Sequence, residues 1–289
     1  MSVFLPSASS LDYQLIDSGN YRKLERFGKL VVDRPEISAS WEKKQSENRW
    51  EKADWVFFEE SGQSGKWQSK NNAPSSWEIA YQYKNTRLQL LLKITKFKHL
   101  GIFPEQAVNW EFISEQIHRI PGEKKVLNLF SYTGIAGIVA AKSDAKVTNV
   151  DSVRQVLDWG KNSACKNGIN SIRWIQEDAK TYVQRAIRRK ELYQGIIMDP
   201  PAFGHGTKNK KWVLKKDLPQ LLKLSMQLLD PEHHFFILNS YSPQFNSENL
   251  NRLLSQIDAF PKNFQNHDLF VESVSGKTLY SGNLIRFWH

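Results

Sequence analysis

Thirteen residues, Lys125 to Gly137, constrain this chain more than any other stretch: they read K-V-L-N-L-F-S-Y-T-G-I-A-G. Val126, Leu127, Leu129 and Phe130 form a short apolar run between Lys125 and Gly134, as a parallel strand covered on both faces requires. Ser131, Tyr132, Thr133 and Gly134 then make a turn in which the backbone can approach a ligand. Ile135 to Ala141 is rich in small residues and suits a helix packed tightly on the strand, its N-terminus turned toward the same place. Strand, glycine turn and helix together predict a nucleotide-type pocket.

Three further signals follow in the order such a pocket needs. Val147–Val150 reads as a second strand ending in Asp151, roughly twenty residues beyond the glycine turn, where a carboxylate accepts hydrogen bonds from both ribose hydroxyls. A third strand, Ile172–Ile175, ends near Glu177, Asp178 and Ala179, and a fourth, Gly195–Met198, ends in Asp199-Pro200-Pro201. These polar residues all fall at the carboxyl ends of parallel strands, where open α/β sheets bind ligands.

The segments N-L-F-S-Y-T-G (128–134), V-D-S (150–152), Q-E-D-A (176–179) and M-D-P-P-A-F-G (198–204) resemble the class I S-adenosylmethionine-dependent methyltransferases. More narrowly, they are similar to the bacterial family of large-subunit ribosomal RNA methyltransferases that includes the cytosine-C5 and guanine-N7 enzymes. The resemblance covers roughly residues 100–289 and extends through Leu15-Ile16-Asp17-Ser18-Gly19 and Lys23 to Gly28. It implies an α/β fold: a Rossmann-like, seven-stranded doubly wound sheet over 99–289, after a β-rich N-terminal subdomain over 1–98 that contacts RNA. It implies S-adenosylmethionine as cofactor. The cofactor-contacting set it suggests is Phe103, Gln106, Asn128, Phe130, Ser131, Tyr132, Thr133, Gly134, Asp151, Ser152, Asp178, Ala179 and Asp199. The acceptor side is Asp199, Pro200, Pro201 and Phe203.

The bulk of the sequence agrees with such a protein. A net charge of +10 favours a polyanionic partner, because each phosphate neutralised releases counterions. Many basic proteins nevertheless carry their charge as a solvated face. The one cysteine, Cys165, excludes a disulfide framework and points to a reducing, cytoplasmic setting. No apolar run approaches the ~20 residues of a membrane helix, and Met1 to Ser10 lacks the features of a signal peptide. His233-His234 lacks the partners a metal needs, so no metal is expected.

Before residue 98, short β-branched or aromatic runs at Tyr13–Ile16, Leu30–Val32, Trp55–Phe58, Trp77–Tyr81 and Leu88–Ile94 predict a small curled sheet. Ser61 to Lys66 departs from the phosphate-loop spacing G-x-x-x-x-G-K-S/T and reads as a hairpin loop. Trp41, Trp50, Trp55, Trp67 and Trp77 fit the core of that sheet better than base stacking. Helices are expected over 111–120, 153–166 with Asn167-Gly168 as its stop, 181–192 and 218–229, a fifth strand over 233–238, and a closing antiparallel pair over 269–274 and 284–288. Lys208, Lys210, Lys211, Lys215 and Lys216 follow the proline turn, where cations serve an RNA backbone; Arg185, Arg188, Arg189 and Lys190 lie away from it.

The acceptor is constrained by the nucleophile it must present. Carbon 5 of cytosine reacts only after a thiolate adds to carbon 6. Here Asn239-Ser240-Tyr241-Ser242 stands where the resembling cytosine enzymes have a cysteine, and Cys165 belongs to a flanking helix. A nitrogen acceptor fits better. Guanine N7 has a lone pair already, while an exocyclic amine would use Asp199 and the carbonyl of Pro200, with Phe203 stacked on the base. Ala202 intervenes before that aromatic, which leaves N7 ahead. His205 reads equally as a phosphate contact, a base or a plain loop residue. A nicotinamide dehydrogenase would need G-x-G-x-x-G, which is missing. A small-molecule or protein methyltransferase, or an assembly factor without turnover, are the remaining alternatives.

Overall fold

The computed structural model describes residues 2–5, 10–61, 64–70, 72–205, 211–241 and 246–289. Gly62, Gln63, Lys208, Lys210, Ser242 and the side chain of His205 lie outside the described residues. The chain clusters into two compact units, one of residues 1–2, 108–268 and 282–289, the other of 3–107 and 269–281. The division therefore falls at 107/108 rather than 98/99, and the tip of the closing hairpin belongs with the N-terminal unit.

The largest sheet has eight strands, in the order Ser2–Leu5, Gln265–Glu272, Thr278–Trp288, Phe235–Ser240, Gly195–Met198, Lys125–Leu129, Lys146–Asp151, Arg173–Gln176, of which the last five lie wholly in the larger unit. Seven of these are the strands expected; Ser2–Leu5 is an additional edge strand. Lys125–Leu129 pairs in parallel with Lys146–Asp151 on one side and Gly195–Met198 on the other, so the strand order reverses at its carboxyl end. That is the switch point at which doubly wound sheets leave a crevice. Gly195–Met198 pairs in parallel with Phe235–Ser240, and Thr278–Trp288 closes on the latter antiparallel.

The central strands read as apolar runs because both faces are covered. Leu127, Leu129, Met198 and Leu238 pack into one core with Tyr182, Val183 and Ala186 of the helix Ala179–Arg188 and Leu218, Leu221 and Leu222 of the helix Leu214–Ser225. Met198 and Leu222 have no measurable exposure, so truncating either would leave a cavity costing about 2–5 kcal/mol. Among the described residues no helix is long and apolar enough to cross a membrane.

The smaller unit holds a five-stranded sheet, Tyr13–Gly19, Arg22–Phe27, Leu30–Pro35, Trp55–Ser61 and Ser64–Ser69, and the hairpin Ser76–Tyr83 with Thr86–Lys93. Arg22–Phe27 and Ser64–Ser69 were not legible as strands, since neither carries a β-branched alternation. The tryptophans fill this unit: Trp50 and Trp55 are buried, and Trp41, Trp67 and Trp77 half-buried. Asp17, wholly buried, accepts from Lys44 N, Gln45 N, Trp50 Nε1 and Ser275 Oγ at 2.7–3.2 Å. Glu25 is equally buried and receives the Arg34 fork and the Tyr13 hydroxyl at 2.5–2.9 Å. Burial raises its pKa, but Arg34 and Lys23 outweigh that and hold it below the usual carboxylate range. Both acids are thus structural, Asp17 held by four neutral donors and Glu25 paired with Arg34.

Candidate cofactor and acceptor site

After Leu129 the backbone turns through an alternation of left-handed residues: Phe130 at φ +55°, Tyr132 at +52° and Gly134 at +69°. Ser131 N donates to Val150 O at 3.0 Å, and Gly134 N to Ser131 O at 2.7 Å, so the turn is closed on itself and tied to the neighbouring strand. Asp151, half-buried at the end of that strand, accepts Tyr132 N on Oδ2 at 2.8 Å and Val153 N on Oδ1 at 2.9 Å. Burial raises its pKa, and the N–H groups of Val153, Tyr132 and Ser152 pull only part of the way back.

Beneath the turn, Asn149 has no exposure; its Oδ1 accepts from Asn128 Nδ2 at 3.0 Å and its Nδ2 lies 3.5 Å from Gly134 O. A Cβ on Gly134 would stand 2.3 Å from Asn149 Nδ2 and 2.7 Å from the Trp174 ring. Glycine is therefore demanded there twice, by conformation and by space. The helix Ile135–Lys142 starts from this turn. Ser131 Oγ is buried with no hydrogen-bond partner among the described residues. An orphaned hydroxyl in the turn and a carboxylate at the end of the neighbouring strand offer hydrogen-bonding partners to a polar nucleoside.

Asp199, Pro200 and Pro201 leave the adjacent strand next to this turn: Asp199 N lies 3.4 Å from Leu129 O. The chain then forms a hairpin where a loop was expected. Phe203–His205 pairs antiparallel with Lys211–Val213, and Leu214 N returns to Ala202 O at 3.0 Å to start the next helix. Trp212 is the pin of this hairpin. Its ring packs on Phe130 at 4.8 Å and its indole N–H donates to Pro201 O at 2.7 Å, joining the turn after one strand to the turn after the next. Phe203 points the other way and is 75% exposed.

On the next strand, Asn239 Oδ1 accepts from Asn109 Nδ2 at 3.0 Å, Ser240 is buried and Tyr241 partly exposed. Gly282, at φ +116°, leaves no room for a Cβ beside Ser240 O at 2.7 Å. Cys165 is exposed on the helix Arg154–Lys166, its Sγ 3.5 Å from Asn170 Oδ1.

The remaining sequence-predicted residues are placed as follows. Asp178 caps the helix Ala179–Arg188, its Oδ1 accepting from Thr181 N at 2.9 Å and Thr181 Oγ1 at 2.8 Å, and Ala179 is buried. Ser152 is half-buried and its carbonyl accepts from Gln176 Nε2. Glu177 pairs with Arg185 at 2.8 Å. Phe103 and Gln106 belong to the smaller unit, where Phe103 packs on His99 at 5.1 Å and Gln106 N donates to Phe103 O. Sequence reasoning missed Asn149, Trp174 and Trp212. A polar residue inside an apolar strand was the available signal for the first; the tryptophans act through tertiary packing that no local pattern carries. Among the described residues, no three His, Cys, Asp or Glu side chains gather as a metal would require.

A doubly wound sheet with an acid at the end of one strand and an Asp-Pro-Pro turn at the end of another, both flanking its switch point, is the arrangement of α/β folds that bind nucleoside ligands there. Residues 59–258 match the family described as S-adenosylmethionine-dependent methyltransferase, and the chain belongs to it. A SAM-dependent methyltransferase from Agrobacterium tumefaciens, known as a crystal structure, is 32% identical with a TM-score of 0.90, over 99% of this chain and 93% of that one. The protein SMU.776, solved in complex with SAH, shares the fold at 15% identity and a TM-score of 0.74, over 98% and 76%. Two curated relatives are both called ribosomal RNA large subunit methyltransferase K/L. The one from Pseudoalteromonas atlantica is 29% identical over 52% of this chain and 21% of its own length. The one from Pseudomonas savastanoi is 24% identical over 70% and 25%. The chain thus spans a fifth to a quarter of the curated relatives it matches.

Proposed function

We propose that this S-adenosylmethionine-dependent methyltransferase modifies a base nitrogen of large-subunit ribosomal RNA. The observation that carries the reading is Phe203, an exposed aromatic on a hairpin strand two residues after Pro201 of the Asp199-Pro200-Pro201 turn. An unpaired base stacks on such a ring at a worth of about 1–3 kcal/mol. The sulfonium, when bound, supplies an electrophilic methyl group, and transfer is an in-line displacement in which positioning does most of the catalysis. In the same reading Asp151 and Ser131 orient the nucleoside, Asp178 and Ala179 lie at the end of the third strand beside it, and Asp199 faces the acceptor. Guanine N7 needs only orientation; an exocyclic amine would hand a proton to Asp199. Asn239-Ser240-Tyr241 carries no thiol, and Cys165 sits on a flanking helix, which speaks against cytosine C5. The names of the curated relatives and the charge of +10 support RNA as the acceptor, in a cytoplasmic setting.

The test is methyl transfer from labelled S-adenosylmethionine to ribosomal RNA taken from cells lacking the gene, followed by mass mapping of the modified nucleotide. A methylated purine nitrogen is expected. Asp199→Ala is expected to keep most of the cofactor affinity and to lose turnover. A 5-methylcytosine product, lost on Cys165→Ala, would overturn the acceptor assignment, and transfer to protein or small molecules alone would overturn RNA.

A further inference from the structure

Register fixes the two faces of the hairpin after the proline turn. Gly204 pairs with Trp212, whose ring turns inward onto Phe130, so Phe203, Val213 and Lys211, on the alternate positions, face outward. Phe203 and Lys211 are diagonal neighbours on that outer face, a spacing of roughly 7–8 Å between backbones. The helix that follows starts at Ala202 O, and its first turn carries Lys215 and Lys216, both exposed. Two cations in a first turn oppose the helix dipole, which favours anions there. Asp217, in the same turn, is engaged with Val213 N at 2.8 Å.

Some exposed lysines elsewhere have acidic company, as Lys66 with Glu60 and Lys125 with Glu123. Among the described residues no carboxylate forms an ion pair with Lys211, Lys215 or Lys216. Three unpaired cations beside one exposed ring, two of them placed against the dipole, leave room for an external anion. The ring wants a base and the cations want phosphates about one residue away from it.

We propose that Phe203, Lys211, Lys215 and Lys216 form a clamp for single-stranded RNA. In it the target base stacks on Phe203 while the three lysines hold the phosphates that flank it, and Trp212 positions the whole by anchoring the hairpin to Pro201 O. The clamp rests on the RNA reading above. It assigns base contact and backbone contact to separate residues, and these have separable signatures, because backbone contacts carry the salt dependence and stacking does not.

The experiment follows fluorescence anisotropy of a labelled, mixed-sequence single-stranded RNA against increasing potassium chloride, with S-adenosylhomocysteine affinity measured by calorimetry for every variant. Removing three phosphate contacts from a single strand should lower the slope of log affinity on log salt by about 2 for K211A/K215A/K216A. Phe203→Ala should weaken binding at all salt concentrations by tenfold or more with the slope unchanged. S-adenosylhomocysteine affinity should match the unmutated protein in both, which excludes misfolding. RNA binding by the unmutated protein with the same slope in the triple variant overturns the clamp alone. No RNA binding by the unmutated protein, with cofactor binding intact, overturns the RNA reading and the clamp with it.

Discussion

Replacing Asp151 separates what the carboxylate does for the turn from what it does for a ligand. In the structure its two oxygens already hold Tyr132 N at 2.8 Å and Val153 N at 2.9 Å, and an ionised carboxylate has about four lone-pair sites, so room remains for two ribose hydroxyls. Hydrogen bonds to a charged group contribute about 1.5–3 kcal/mol each, so losing both ribose contacts costs about 3–6 kcal/mol, a factor of about 10² to 10⁴ in affinity. Asp151→Ala should weaken S-adenosylhomocysteine by that factor in calorimetry. It should also lower the unfolding free energy by about 1–3 kcal/mol for each backbone N–H left without its acceptor. The two effects are distinguished with analogues. The 2′-deoxy and 3′-deoxy forms of S-adenosylhomocysteine should each lose roughly tenfold or more against the unmutated protein and almost nothing further against Asp151→Ala. If the deoxy analogues lose as much affinity in the variant as in the unmutated protein, or if Asp151→Ala binds as well as the parent, the ribose assignment is wrong.

Two other outcomes follow from the coordinates. In Gly137→Ala the new Cβ would stand 2.2 Å from Asn149 Oδ1, so overpacking should cost about 1–3 kcal/mol in denaturant unfolding and weaken the cofactor, whereas Gly168→Ala, at φ +71° with nothing within 4 Å, should cost only strain of about 1 kcal/mol and leave cofactor affinity unchanged. Equal effects would remove Asn149 from the site. Burial pushes the carboxyl of Glu105 up to about 7. Its native form therefore holds a proton more tightly than the unfolded chain, and the stability it contributes is present at low pH and lost as pH rises through about 7. Glu105→Gln should thus unfold at the same temperature as the parent near pH 5 and at a higher one above pH 8; an unchanged difference across that range would sink the assignment.

What was legible in the sequence is what local pattern encodes. The strand Lys125–Leu129, its turn, Asp151 and the proline turn could be read because an apolar run, a glycine and a terminal acid each act over a few residues. The helices appeared with ends displaced by several residues: Thr181 to Leu192 was expected and Ala179–Arg188 is found, because Asp178 caps two residues earlier than the apolar pattern begins. Leu15 to Gly19 and Lys23 to Gly28 stood out as motifs, yet their acids are buried in ion pairs and backbone bonds within the smaller unit. Nothing local distinguishes a buried structural acid from a working one, since both are charged residues in an apolar strand. The hairpin Phe203–His205 with Lys211–Val213 was invisible for another reason: its stability comes from Trp212 meeting Phe130, residues 82 positions apart in the chain.

That contact belongs to a larger arrangement around the turn that follows Leu129. Phe130, Tyr132 and Gly134 are left-handed in alternation, and for the first two this conformation costs about 1–2 kcal/mol each. Each of the three is held by a different neighbour. Trp212 packs on Phe130 from the side of the fourth strand, Asp151 takes the N–H of Tyr132 from the side of the second, and Asn149 and Trp174 fill the space a side chain on Gly134 would need. A strained turn persists only where its surroundings over-determine it, and here they do so from both sides of the switch point. One consequence is that the acid assigned to the ribose is also one of the three restraints. Mutating it must therefore move turn geometry and ligand affinity together, and only a ligand stripped of single hydroxyls, with the protein left intact, can tell the two apart.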